Sequence, residues 1–259
     1  MTKALVVFEK EWLEIRLQRG LLLATLAVPP LITVFALLVF LLAGLTPGGV
    51  STGGFPLPPD LAGLSSRELA QAIVGKQFSV IFFLLPVFIP SVIASYAIVG
   101  EKRERTLEPL LATPIRTSQL LLGKSLAALV PSVVITLACA LLFVLGITEW
   151  AVTPRVAGVI ATPGWWAVLL VDMPLLSLIG VALIVIVSSR VNDPRTAQQV
   201  SAVLIVPVLG LLFGQLTGEL VLNVPFALVG ALVLALCALV ALRLATDLFA
   251  REAILTRWR

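Results

Sequence analysis

Seven stretches of this chain carry no charged side chain at all: residues 20–59, 77–100, 125–148, 156–171, 173–189, 196–218 and 220–242. Gaps of that length decide the fold class, because a domain facing water must spread charge along its surface. A helix crossing about 30 Å of hydrocarbon needs roughly 20 apolar residues, each adding about 1.5 Å. Trimmed of their Gly-, Pro- and Ser-rich ends, the runs supply spans near 21–45, 78–100 and 124–147. The short runs on either side of Asp172 join into a fourth span near 166–188, and two more follow near 200–217 and 225–246. The runs are continuous and lack the period-two alternation of a barrel strand, so the spans are helices. Only 12% of the residues are charged, about half the share in soluble domains, which excludes a soluble enzyme. The chain is therefore expected to be an all-α polytopic membrane helix bundle with about six spans.

The sequence contains no histidine, so histidine metal sites, imidazole proton relays and Ser–His or Cys–His pairs are excluded. Cys139 and Cys237 fall in mid-span, where they act as small apolar residues and imply no disulfide framework. Lys and Arg are distributed unevenly: four in 3–19, five in 102–124, two in 190–195 and four in 243–259, which places 15 of 18 on alternate connections. The other side holds only Arg67, Lys76 and Arg155. Positive residues stay cytoplasmic, so both termini are expected inside. The net charge of +4 then reflects topology and attraction to anionic lipid, and no nucleic-acid partner is needed.

Residues 3–19 place Leu5, Phe8, Trp12 and Ile15 at helical spacing, with Glu9, Lys10, Glu11 and Glu14 elsewhere. That pattern predicts a cytoplasmic helix lying in the membrane interface, with Trp12 at headgroup depth, over residues 1–20. The external connection, 46–77, begins with a Pro/Gly loop and then has Ser65 and Glu68 spaced as a capping box, which predicts a short helix over 66–76. Pro29, Pro30, Pro86, Pro90, Pro131, Pro174 and Pro207 interrupt the spans. Each kinks its helix and frees a carbonyl that a neighbour must satisfy.

Residues 100–114 (GEKRERTLEPLLATP) form a short turn dense in both charge signs and then amphipathic. Leu107, Leu110 and Leu111 suit a groove on a soluble partner, while the charges set orientation. The stretch Glu101-Lys-Arg-Glu-Arg-Thr-Leu-Glu-Pro-Leu-Leu-Ala-Thr-Pro114, followed by Gln119-Leu-Leu-Leu-Gly-Lys124, resembles the signature of type-2 ATP-binding-cassette (ABC) transporter permeases. Its usual form is close to E-K-E-x-G-T-L-E-x-L-L-x-T-P-x-x-x-x-x-x-L-x-G-K; Arg105 stands where many members carry glycine. Ser189-Arg-Val-Asn-Asp-Pro-Arg-Thr-Ala-Gln-Gln199 is similar to a second stretch of many members.

The resemblance implies a six-helix permease domain over 21–259 with a cytoplasmic coupling region at 101–118. The coupling helix, 101–113, would enter a cleft on a separate ATPase through Glu101, Arg103, Glu104, Arg105, Thr106, Leu107, Glu108, Leu110 and Leu111. The 1–20 helix would be the connecting helix touching the same subunit, through Phe8, Trp12 and Ile15. No cofactor is expected in this chain, ATP and magnesium being held by two partner ATPase subunits. A homodimer, or a heterodimer with a similar permease, follows on the same grounds.

Gly123-Lys124-Ser125 mimics the end of a phosphate-binding loop, but Ser118 stands where its first glycine must be, and Gln119–Leu122 would be helical. Lys124 is better explained as an anchor for the third span. Gly210, Gly214 and Gly218 form an overlapping G-x-x-x-G pair, suited to close helix contact either within the chain or across a dimer seam. Asp172, Gln215 and Glu219 are the polar groups in or near the spans. A carboxylate in lipid costs roughly 2.5–3.5 kcal/mol on insertion scales. Asp172, seven residues beyond a Trp165–Trp166 belt, therefore either lines an export cavity, binds a cation, pairs with a partner residue or sits protonated. Two functions stand: an ABC exporter permease moving substrate from the cytoplasm or inner leaflet, or a non-transporting scaffold that couples the ATPase to another protein.

Overall fold

Helix starts in this chain are set by caps and prolines. In the computed structural model, which describes residues 2–17, 19–46, 59–101, 115, 117–188, 191, 193–216 and 222–248, the Ser65 hydroxyl and the Glu68 carboxylate close a reciprocal capping box. The helix it opens does not stop near residue 76 but runs from Ser66 to Ile81, because Leu69, Ala70, Ala72, Gly75 and Val80 supply an apolar face that buries against the bundle. Thr162 caps the helix from Pro163, Asp193 the helix from Pro194, each with proline in the first turn, where the missing amide costs nothing.

The elements in chain order are α1 (Thr2–Leu17), α2 (Arg19–Leu45), α3 (Ser66–Ile81), α4 (Leu85–Ser95), α5 (Thr117–Trp150), α6 (Pro154–Ile160), α7 (Pro163–Ala167), α8 (Met173–Ser188), α9 (Pro194–Ser201), α10 (Ile205–Leu216) and α11 (Val224–Leu248). Six helical stretches are long and apolar enough to cross a membrane: Thr25–Leu45, Ser66–Gly100, Ser118–Trp150, Pro163–Ser188, Pro194–Gly214 and Val224–Leu248. The described residues contain no strand. Short π-helical turns at Tyr96–Gly100 and Val168–Asp172 interrupt the second and fourth.

The core lies where α4 meets α5 and α8. Phe82, Phe83, Phe143 and Trp165 fill it, with the Phe82 and Phe143 rings 4.8 Å apart. Trp165 is only 1% exposed, so it does not belong to an interfacial belt. The chain breaks between α3 and α4, where the amides of Phe83 and Leu84 reach back three residues, to Val80 and Ile81. The Ser79 carbonyl is thereby left without its usual helical donor, and the Trp165 indole N–H donates to it at 3.1 Å. An indole buried this deeply needs such an acceptor.

Pro90 does the same to Pro86. It has no amide to offer the carbonyl four residues earlier, and the buried Ser177 hydroxyl of α8 donates to that oxygen instead. At the far end of the bundle, Gln71 is spent completely. Its Nε2 donates to the carbonyls of Phe40 (3.3 Å) and Trp150 (3.0 Å), and its Oε1 accepts from the Val152 amide at 2.8 Å. Gly44 makes room for it, since a Cβ there would lie 2.8 Å from the Gln71 amide carbon.

Candidate functional site

At the other end, five charged side chains from three parts of the sequence meet. Lys124, near the start of α5, is 1% exposed. Its ammonium donates to Glu11 Oε1 of α1 at 2.6 Å, to the Ala97 carbonyl at 2.6 Å, and pairs with Glu101 Oε2 at 2.7 Å. Two of its three donors are in hydrogen bonds, and the contact with Glu101 is an ion pair. The Ala97 carbonyl is available because the Glu101 amide bonds to Ile98, three residues back. Lys10 sits over the same carboxylates, bonded to Glu101, to Glu14 at 2.9 Å and to Glu11 at 3.2 Å.

The electrostatics follow from this packing. Burial works to raise Glu101, but the charge of Lys124 and the hydrogen bonds from both lysines hold its carboxyl below the ordinary 4.5. Glu11 is pushed up by burial against the opposing pull of Lys124. Burial works to lower Lys10, yet its bonds to Glu101 and Glu14 carry it above its ordinary value. Carboxylate oxygens of Glu11, Glu14 and Glu101 lie within 4.8 Å of one another, a spacing that also suits a metal. Here the two ammonium groups already share them.

Backbone contact reinforces the charges. A Cβ at Gly123 would lie 2.7 Å from the Ala4 carbonyl and 2.6 Å from the Val7 Cβ. Glycine here is what lets α1 lie directly on α5. The Gly123-Lys124 pair, which imitates a phosphate loop in sequence, is the seat of α1. The second motif reaches the same end: Asp193 caps α9 through the Thr196 amide (3.1 Å), and Gln198 donates to the Ser95 hydroxyl at 2.9 Å.

The face of α1 turned to the bundle is Ala4, Val7, Glu11 and Ile15; of Leu5, Phe8, Trp12 and Ile15, expected at the membrane interface, only Ile15 lies on it. Leu5 is 51% exposed, whereas Phe8 and Trp12 are half-buried, Trp12 with the Arg16 guanidinium 5.3 Å from its ring. The physical reason is Glu11. Periodicity assigns a carboxylate to water, but a buried ammonium opposite it turns the helix so that the acid points inward.

Of the expected coupling residues, Glu101 is in this cluster; Arg103, Glu104, Arg105, Thr106, Leu107, Glu108, Leu110 and Leu111 lie outside the described residues. Asp172 is far from the cluster in sequence and sits in the π-turn before α8, 3% exposed, with Oδ1 unbonded. Gly230 of α11 faces it, and a Cβ there would lie 3.0 Å from Oδ2. Gly210 is exposed, and among the described residues no atom outside its own stretch of helix lies within 4 Å of where its Cβ would be, so it packs on nothing within the described chain. Gly214 is half-buried; the Gln215 side chain, Gly218 and Glu219 lie outside the described residues. Sequence reasoning missed Lys10, Glu11, Gly123 and Lys124 as a unit. The one available signal was a lysine next to a glycine at the start of a charge-free span.

Six apolar helices, with an amphipathic helix pinned across one end by ion pairs, define a multi-pass membrane protein. The chain belongs to the ABC-2 transporters: the family described as "ABC-2 family transporter protein" matches residues 55–235. It is thus a permease component of an ABC transporter, the membrane part that has no ATPase site of its own. A comparison with curated proteins gave no match.

Proposed function

We propose that this chain is the membrane-spanning half of an exporter, driven by separate ATPase subunits that dock on residues 101–118 and on α1. The observation that carries the proposal is the Glu101–Lys124–Glu11 junction. It ties α1 and the last described residue before the docking segment to one point of the bundle. The Lys/Arg distribution supports a cytoplasmic position for this end. Two copies of the chain pair with two ATPases, each holding ATP and magnesium. The exposed glycine face of α10, at Gly210, suits the seam between permeases. Closure of the ATPases switches the spans from inward- to outward-facing, and only a substrate bound differently in the two states is moved.

The test is native mass on the complex purified gently from its host. The expected assembly is two copies of this chain with two of an ATP-binding protein, released by Glu104→Lys without loss of membrane insertion. A lone chain, or one bound to partners without an ATPase, refutes the exporter reading and favours the scaffold.

A further inference from the structure

The ion-pair junction does more than mark where the ATPases dock. Lys124 bonds at once to a side chain of α1, a side chain at the end of the second span and a backbone carbonyl of that span. The two charge-assisted hydrogen bonds of 2.6 Å weaken steeply with small displacements, and the 2.7 Å ion pair to Glu101 weakens with separation. Lys10 still holds both carboxylates, so shifting α1 or Glu101 along α5 would take partners from the Lys124 ammonium, 1% exposed, where a charge that loses its partners is severely penalised. The Gly123 contact independently forbids α1 to rotate in place, because the Ala4 carbonyl and Val7 rest on the α5 backbone itself. These constraints act on three sequence-distant elements through one side chain.

We propose that Lys124 is a positioning residue that makes α1, the base of the second span and the start of α5 a single rigid unit. Motion imposed on either docking element is delivered to α5. This rests on the ATPase-driven reading above, and names α5 as the span that receives the stroke. The packing fits: α5 lies chiefly on α1, α2 and α4 and touches α11 only slightly, so it can shift relative to α11 while keeping α1 with it.

The experiment uses the whole complex with its co-purified ATPase, in a chain where Cys139 and Cys237 are replaced by alanine. Spin labels are placed at the exposed positions Leu13 (α1) and Leu122 (α5), and in a second sample at Leu122 and Leu232 (α11). Distances are read without nucleotide and with a non-hydrolysable ATP analogue and magnesium. The α1–α5 distance should stay constant while the α5–α11 distance changes. Lys124→Met should make the α1–α5 distance depend on nucleotide or spread into two populations, while Lys10→Met, at the exposed edge, should not.

An α1–α5 distance that changes with nucleotide in the unsubstituted hub overturns the proposal, and this arm needs no variant to fold. An α1–α5 distance in Lys124→Met that matches the unsubstituted chain overturns it as well. A constant α5–α11 distance with the ATPase present overturns the relay but leaves the exporter reading intact. Failure of any ATPase to co-purify overturns that reading, and the relay with it.

Discussion

Replacing Ser177 by alanine removes one oxygen atom and should still be felt across the bundle, because of a proline on another helix. Pro90 has no amide, so the Pro86 carbonyl has no helical donor, and the Ser177 hydroxyl supplies it. Ser177 is fully buried; its hydroxyl oxygen also lies 3.0 Å from the Met173 carbonyl of its own helix. In Ser177→Ala the Pro86 carbonyl is left bare. A buried acceptor without a donor costs about 1–3 kcal/mol in soluble proteins. Measured interhelical side-chain bonds in a bilayer average about 0.6 and reach about 1.7 kcal/mol, since the unfolded chain in the membrane also finds partners. We expect a loss of about 1–2 kcal/mol. The cause is isolated by making the same change in Pro90→Ala, where residue 90 regains an amide that can bond to Pro86. There Ser177→Ala should cost less by about 1 kcal/mol, a coupling well above the few tenths expected of independent sites. Reversible unfolding in mixed detergent micelles, followed by circular dichroism, measures all four proteins. Equal costs in the two backgrounds would refute the argument, whatever Pro90→Ala does alone.

Gly123→Val drives a side chain into Val7 and the Ala4 carbonyl, so it should lift α1 off α5. Limited proteolysis should cut α1 several-fold faster, while the spans remain inserted. Glu101, held below the ordinary 4.5, adds stability that is present above that value and lost as pH falls through its lower folded value. The melting midpoint of the natural chain should therefore fall more steeply on acidification below 4.5 than that of Glu101→Gln. Glu11 is displaced the other way by burial and also by the Glu101 charge, so the comparison is repeated with Glu11→Gln in both proteins; identical slopes there would dismiss the Glu101 ion pair as a source of stability.

The six spans were legible because the requirement is local. A helix that crosses hydrocarbon must be long and free of charge, and charge gaps can be read from one stretch at a time. Their ends were less legible. The helix from Ser66 runs past its expected limit to Ile81, and α5 extends from Thr117 to Trp150, since polar residues at a span's edge stay helical when something caps or packs them. Which face of α1 packs on the bundle was not legible, because amphipathicity treats every charge as a vote for water. Glu11, 1% exposed, votes the other way only once Lys124 is known to face it, and 113 positions separate the two.

That separation explains why the cluster was hidden while the need for it was not. Sequence shows which groups a membrane helix leaves wanting: a carbonyl ahead of a proline, a lysine at the head of an apolar run, the open end of a helix. It does not show which residue answers. Ser177 answers Pro86 from 91 residues away, Trp165 answers Ser79 from 86, and Gln71 closes the end of α5 from 79. Where no such answer exists within the described chain, as at Asp172 Oδ1, the cost stays in the fold. Gly230 makes room for the group but offers no side chain to bond it. Lys124 therefore differs in kind from Ser177, Trp165 and Gln71. Those three satisfy backbone that local geometry left open, whereas Lys124 is itself a buried charge that two carboxylates neutralise.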